Sequence, residues 1–74
     1  MARLSPLPAR KVVRALQALG FQPIRQKGSH LFLKHPDGRA TVVPIHSGED
    51  IGRGLLRKII RDAEVDEDEF LEKT

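Results

Sequence analysis

The chain has 74 residues, 39% hydrophobic and 31% charged, with no cysteine; that mix is globular, limits the chain to one small domain over residues 1–74, and excludes disulfides, a zinc ribbon and a cysteine nucleophile. No apolar run approaches the ~18 residues needed to cross a bilayer and the N-terminus has no apolar signal core, so the expectation is a cytoplasmic protein with no membrane partner. The net charge of +3 divides unevenly: residues 1–61 hold twelve Lys+Arg and three acids (+9), residues 62–74 one lysine and seven acids (−6), and a basic body with an acidic tail points to a polyanion partner, against the plainer alternative of a solvated surface.

Val12, Ala15, Leu16 and Leu19 recur at i, i+3, i+4 and i+7, which predicts a helix over residues 8–19. Pro6 and Pro8 suit its entrance and Gly20 its left-handed stop. Residues 21–26 alternate apolar and polar, apart from Pro23, and predict a short first strand. Lys27-Gly28-Ser29 reads as a turn and residues 30–35 as a second strand. Pro36-Asp37-Gly38-Arg39 is a hairpin signal centred on a two-residue Asp37-Gly38 loop. The β-branched run over residues 40–46 predicts the returning strand, and Pro44 places it at a sheet edge. Residues 47–52 read as a loop. Leu55, Leu56, Ile59, Ile60 and Ala63 form the apolar face of a helix over residues 53–63, with Arg53, Arg57, Lys58 and Arg61 on its basic face. Asp66 is placed to cap a last helical turn, with Glu69 at the capping-box position and Phe70-Leu71 as the apolar contact. The predicted architecture is α+β, in the order α-β-β-β-α: a three-stranded antiparallel sheet with two helices on one face. An acidic helical tail follows the basic body.

A two-residue Asp37-Gly38 loop sets Leu33 opposite Val42, Leu31 opposite Pro44 and His30 opposite Ile45. Leu31, Leu33, Val42 and Pro44 then share the face under the helices, and His30, Phe32, Lys34, Thr41, Val43 and Ile45 share the uncovered face. The uncovered face offers charge for phosphates and an aromatic ring for a base, or an apolar patch for a partner protein. His30, His35 and His46 are the catalytic candidates. There is no Ser-His-Asp spacing, no phosphate-binding glycine loop and no carboxylate pair. The histidine spacing fits no metal motif, so neither metal nor cofactor is expected. The same parity puts His30 and His46 on opposite faces, against a two-histidine ribonuclease site, unless a β-bulge reverses it. A single histidine titrates near neutrality and can give or take a proton, although a structural role is the commoner one for any histidine.

Six short motifs fall in one order: Leu16-x-x-Leu19-Gly20-Phe21, Gln26-Lys27-Gly28-Ser29-His30, His35-Pro36-Asp37-Gly38-Arg39, Val42-Val43-Pro44-Ile45-His46, Gly54-Leu55-Leu56-x-x-Ile59 and Glu69-Phe70-Leu71. Together, over residues 9–72, they resemble the HicA-type toxins of bacterial toxin–antitoxin pairs. The resemblance implies a double-stranded-RNA-binding-domain-like fold, an mRNA interferase activity with one active histidine, and neutralisation by a HicB-type antitoxin. It makes His30 of Gly28-Ser29-His30 the catalytic residue. With Lys27, Gly28, Ser29 and Lys34 then near the RNA, Phe32 of the uncovered face and Arg39 complete the candidate RNA contacts; Lys27, Lys34 or Arg39 would stabilise charge on the phosphate, and His46 is a secondary candidate. The expectation is a metal-independent endoribonuclease, monomeric when free, that cuts single-stranded mRNA. The alternatives are an RNA-binding module of the same fold that does not cut, and a protein–protein module that meets only the antitoxin.

Overall fold

The computed structural model describes residues 4–45 and 49–74. The elements run β1 (Leu7–Pro8), α1 (Ala9–Ala18), β2 (Gln22–Lys27), β3 (His30–Lys34), β4 (Ala40–Pro44), β5 (Asp50–Ile51), α2 (Arg53–Ala63) and α3 (Glu67–Glu72). Strands β2, β3 and β4 form an antiparallel sheet with β3 in the middle, and β1 pairs antiparallel with β5. The α+β layout and the α-β-β-β-α order agree with the sequence reading. The β1–β5 pair does not: Asp50–Ile51 lies where a loop was expected, held by Leu7 opposite Ile51 and Pro8 opposite Asp50.

Helix α1 buries Ala9, Val12, Ala15 and Leu16. It ends in a Schellman motif: Gly20, at φ +101°, donates its N–H to the Gln17 carbonyl, and Phe21 donates to that of Leu16. That geometry needs a left-handed residue at Gly20, which glycine adopts without a Cβ penalty. It also carries Phe21 into the core, 1% exposed, so β2 starts one residue later than expected. Helix α2 buries Leu56, Ile59, Ile60 and Ala63 against the sheet. The Asp66 side chain accepts the N–H groups of Asp68 and Glu69 and starts α3, whose Phe70 is fully buried in the same core. The acidic tail is therefore part of the core and not a free appendage.

The register of β3 against β4 corrects the expected one. His30 lies opposite Pro44, Leu31 opposite Val43, Phe32 opposite Val42, Leu33 opposite Thr41 and Lys34 opposite Ala40. His35 closes the hairpin by donating its N–H to the Arg39 carbonyl, and Gly38 donates to that of His35. The loop is therefore Pro36-Asp37-Gly38, three residues instead of two. Proline is favoured at the second position of a type I turn, and Gly38, at φ +102°, supplies the left-handed residue that follows such a turn in a three-residue hairpin. One extra loop residue reverses the parity of β4. Thr41 and Val43 join Leu33 under the helices, both buried, while Val42 and Pro44 move to the uncovered face. Ile45, expected on the uncovered face, is half-buried and packs against the core.

Thr41 has its hydroxyl oxygen buried with no hydrogen-bond partner among the described residues. Burying an unpaired hydroxyl opposes folding. Replacing Thr41 by Val is expected to raise stability by about 1 kcal/mol in urea unfolding. A neutral or destabilising Thr41→Val would mean that this side chain does not face the core.

Candidate active site

The β2–β3 hairpin positions His30. Lys27 and His30 are paired across a two-residue Gly28-Ser29 loop, with Gly28 at φ +59° in the first central position. Type II′ turns place glycine there. Space does not require the glycine, since nothing lies within 4 Å of where its Cβ would be; the left-handed conformation does. The Ser29 carbonyl accepts the Ile45 N–H, tying this turn to the end of β4. Directly opposed residues on one face have Cβ atoms ~4.5–5.5 Å apart, so Lys27 and His30 project side by side from the hairpin.

From this turn the uncovered face is counted in rows across the sheet. Lys27, His30 and Pro44 form the first, and Arg25, Phe32 and Val42 the second; Gln22, Lys34 and Ala40 form the third. The register of β2 shifts between Pro23 and Arg25, so Ile24 bulges outward, 58% exposed. His30 and Lys34 are exposed, Phe32 half-buried. The Arg25 guanidinium carbon sits 4.9 Å over the centre of the Phe32 ring. Arg25 was not among the residues singled out from the sequence. Counting back from a two-residue Gly28-Ser29 loop would have placed it opposite Phe32.

One side of His30 opens onto a groove of about 380 Å³, lined also by Pro44, Glu49, Asp50, Ile51, Gly52 and Leu55. The β1–β5 pair builds this wall by holding Asp50–Ile51 in place ahead of α2. His30 thus stands at a boundary, with Lys27 on its hairpin and two carboxylates across the groove.

The other sequence candidates are not all gathered here. Lys34 shares the face but lies four residues along β3, ~13 Å from His30 at ~3.3 Å per residue. Arg39 and His35 are at the opposite end of the hairpin, ~17 Å away by the same measure. Arg39 is committed to structural contacts. Its Nη1 donates to the Ala63 carbonyl at 2.8 Å and to that of Glu64 at 3.3 Å, its Nε donates to Asp37, and its guanidinium carbon lies 5.3 Å over the Phe21 ring. A cation there meets the unsatisfied carbonyls and the negative end of α2, where Glu64 takes a left-handed conformation. The His35 ring packs edge-on to Phe21 and close to Gly20, and its Nδ1 accepts the Asp37 N–H. When His35 is protonated, Nδ1 donates instead to Asp37 Oδ1, 3.0 Å away. The register removes the parity that set His46 apart from His30, and His46 itself lies outside the described residues. Among the described residues, no three His, Asp or Glu side chains are grouped to hold a metal ion, and no helix is long and apolar enough to cross a membrane.

The molecule is a small α+β protein whose helices cover one face of a three-stranded antiparallel sheet and leave a histidine among cations on the other. Over residues 9–65 it matches the family described as the HicA toxin of bacterial toxin–antitoxin systems, and the chain belongs to that family. Membership implies an antitoxin as partner. No curated protein is similar enough to the chain to count as a match.

The Arg39 N–H, and then its guanidinium, hold the Asp37 carboxyl below the usual carboxylate range. Because the folded value is the depressed one, this contribution to stability is complete above the ordinary carboxylate range. It is lost as the pH falls through the folded value. Arg39→Ala is expected to destabilise the protein by about 1–3 kcal/mol in urea unfolding, and Asp37→Asn to flatten the acid limb of the stability curve. A fully stable Arg39→Ala protein would mean that these contacts do not hold the fold.

Proposed function

We propose that this chain is the toxin of a toxin–antitoxin pair and acts as an endoribonuclease on single-stranded mRNA in the cytoplasm, with His30 as its one proton-transfer residue and a HicB-type antitoxin as its inhibitor. The observation that carries the reading is the exposed His30 imidazole, paired across the hairpin with Lys27 on the face the helices leave open. Family membership supports it independently.

RNA brings its own nucleophile, the 2′-hydroxyl beside the scissile phosphate. His30 takes the proton of that hydroxyl or delivers one to the departing 5′-oxygen, the two proton-transfer roles that a positioned imidazole can fill. The oxygen attacks phosphorus, the bond to the 5′-oxygen breaks, and the products are a 2′,3′-cyclic phosphate and a 5′-hydroxyl. Lys27, the cross-strand partner of His30, can bring its ammonium to the negative charge that grows on the phosphorane oxygens, and a cation there lowers the barrier. Lys34, further along β3, meets the RNA backbone away from the reacting phosphate. Gly28 and Ser29 set the turn from which Lys27 and His30 project. The scheme routes no step through a metal ion. DNA lacks the 2′-hydroxyl and is not cut.

Purified protein is expected to cut RNA in the presence of EDTA and to leave 2′,3′-cyclic ends. His30→Ala should reduce the rate by about 10²–10⁴-fold, the usual contribution of one positioned acid–base group. Undiminished cleavage by His30→Ala, or its loss in EDTA, would overturn the scheme. Salt-sensitive RNA binding with no cleavage by the wild type would make the chain a binding module instead.

A further inference from the structure

Resting on the reading of the uncovered face as an RNA surface, we infer that Phe32 is a base-stacking seat that the Arg25 guanidinium covers in the free protein. A nucleotide beside the bond to be cut takes the place of Arg25 on the ring, and Arg25 turns to the RNA backbone. Arg25 and Phe32 are cross-strand partners, with the guanidinium carbon 4.9 Å over the ring centre. Among the described residues, Arg25 is in none of the ion pairs. Its interaction with the ring is therefore the one that RNA must replace.

The exchange is favourable on general grounds. An exposed cation over an aromatic ring is held weakly, whereas a base stacked on the ring is held more strongly, and the freed guanidinium gains a phosphate. The position fits as well. Phe32 is two residues from His30 on the same strand and face, ~6.6 Å along β3, so the seated base belongs to a nucleotide next to the one whose phosphate reaches the imidazole. Lys27 and Lys34 lie in the rows on either side, which gives the strand cations before and after the seat. The row itself carries no side chain able to read a base edge other than Arg25, and stacking accepts every base, so this seat selects unpaired over paired RNA rather than one sequence.

The test uses the His30→Ala chain, which keeps the bound RNA intact, and a short oligouridine carrying one 2-aminopurine, titrated at several salt concentrations. Binding is expected to quench the 2-aminopurine. Adding Phe32→Ala should abolish the quench and weaken binding about tenfold, the scale of one lost base stack, with the salt dependence kept. Phe32→Tyr should keep both affinity and quench, while Phe32→Leu, which retains apolar bulk, should lose the quench; circular dichroism reports that each variant is folded. Adding Arg25→Ala should keep the quench and lower the slope of log affinity against log salt by about 0.7, the contribution of one phosphate contact on a single strand. A quench that survives in both Phe32→Ala and Phe32→Leu overturns the inference. So does an unchanged salt slope in Arg25→Ala, or a His30→Ala chain that does not bind the oligonucleotide at all. A wild type that binds but does not cut sinks the nuclease reading alone and leaves the seat standing.

Discussion

Which way the His30 side chain points is the constraint on which the functional reading depends; Leu31 and Leu33 on its own strand set it, and two turns set which residues share its face. Side chains on a strand alternate strictly, so a single residue more or less in a flanking loop sends every later one to the other face. The two-residue Gly28-Ser29 loop sets Lys27 against His30, and the three-residue Pro36-Asp37-Gly38 loop brings Thr41 and Val43 under the helices with Leu33. With Leu33 and Val43 buried on one face, His30 and Phe32 are committed to the other. The core and the candidate site are thus two sides of one register.

Charge is sorted by the same geometry. The strands bring Arg25, Lys27 and Lys34 onto the open face, where phosphates can reach them. Arg39 is directed elsewhere, because the exposed carbonyls at the end of α2 and the Asp37 carboxylate give its fork partners within the fold. Lys58, on the outer side of α2, pairs with Asp62 at 3.0 Å. The basic body that the composition suggests is therefore not one uniform patch. Its cations divide between the uncovered sheet, the end of a helix and the outer helical surface, and only the first group shares a face with the imidazole. Glu49 and Asp50 then bound that group on the far side of the groove.

Much of this was legible in the sequence. Strong periodicity and clear stops fixed α2 at its observed bounds, and placed α1 within a residue or so at each end; Asp66 announced α3 through its cap. The face of His30 was readable too, because it follows from Leu31 and Leu33 on the same strand and does not depend on the partner. The register of β4 was not, since Asp-Gly favours a two-residue loop until Pro36 is seen to occupy a turn position of its own. The β1–β5 pair was hidden because two-residue strands carry no periodicity and are made by a distant partner. Arg25 was hidden because Lys27-Gly28-Ser29 read as a three-residue turn, whereas the two-residue Gly28-Ser29 loop aligns Arg25 with Phe32. The contacts of Arg39 were hidden for a different reason: a cation's partners are tertiary, and nothing local in the sequence marks one that meets the end of a helix.

The most direct measurement is a histidine-selective NMR titration of the wild-type chain with 2′-O-methyl RNA, which binds but lacks the nucleophile. The account predicts that the His30 imidazole resonances shift progressively with added RNA while those of His35, locked between Phe21 and Asp37, stay in place. A perturbed His35 beside an unmoved His30 would contradict it.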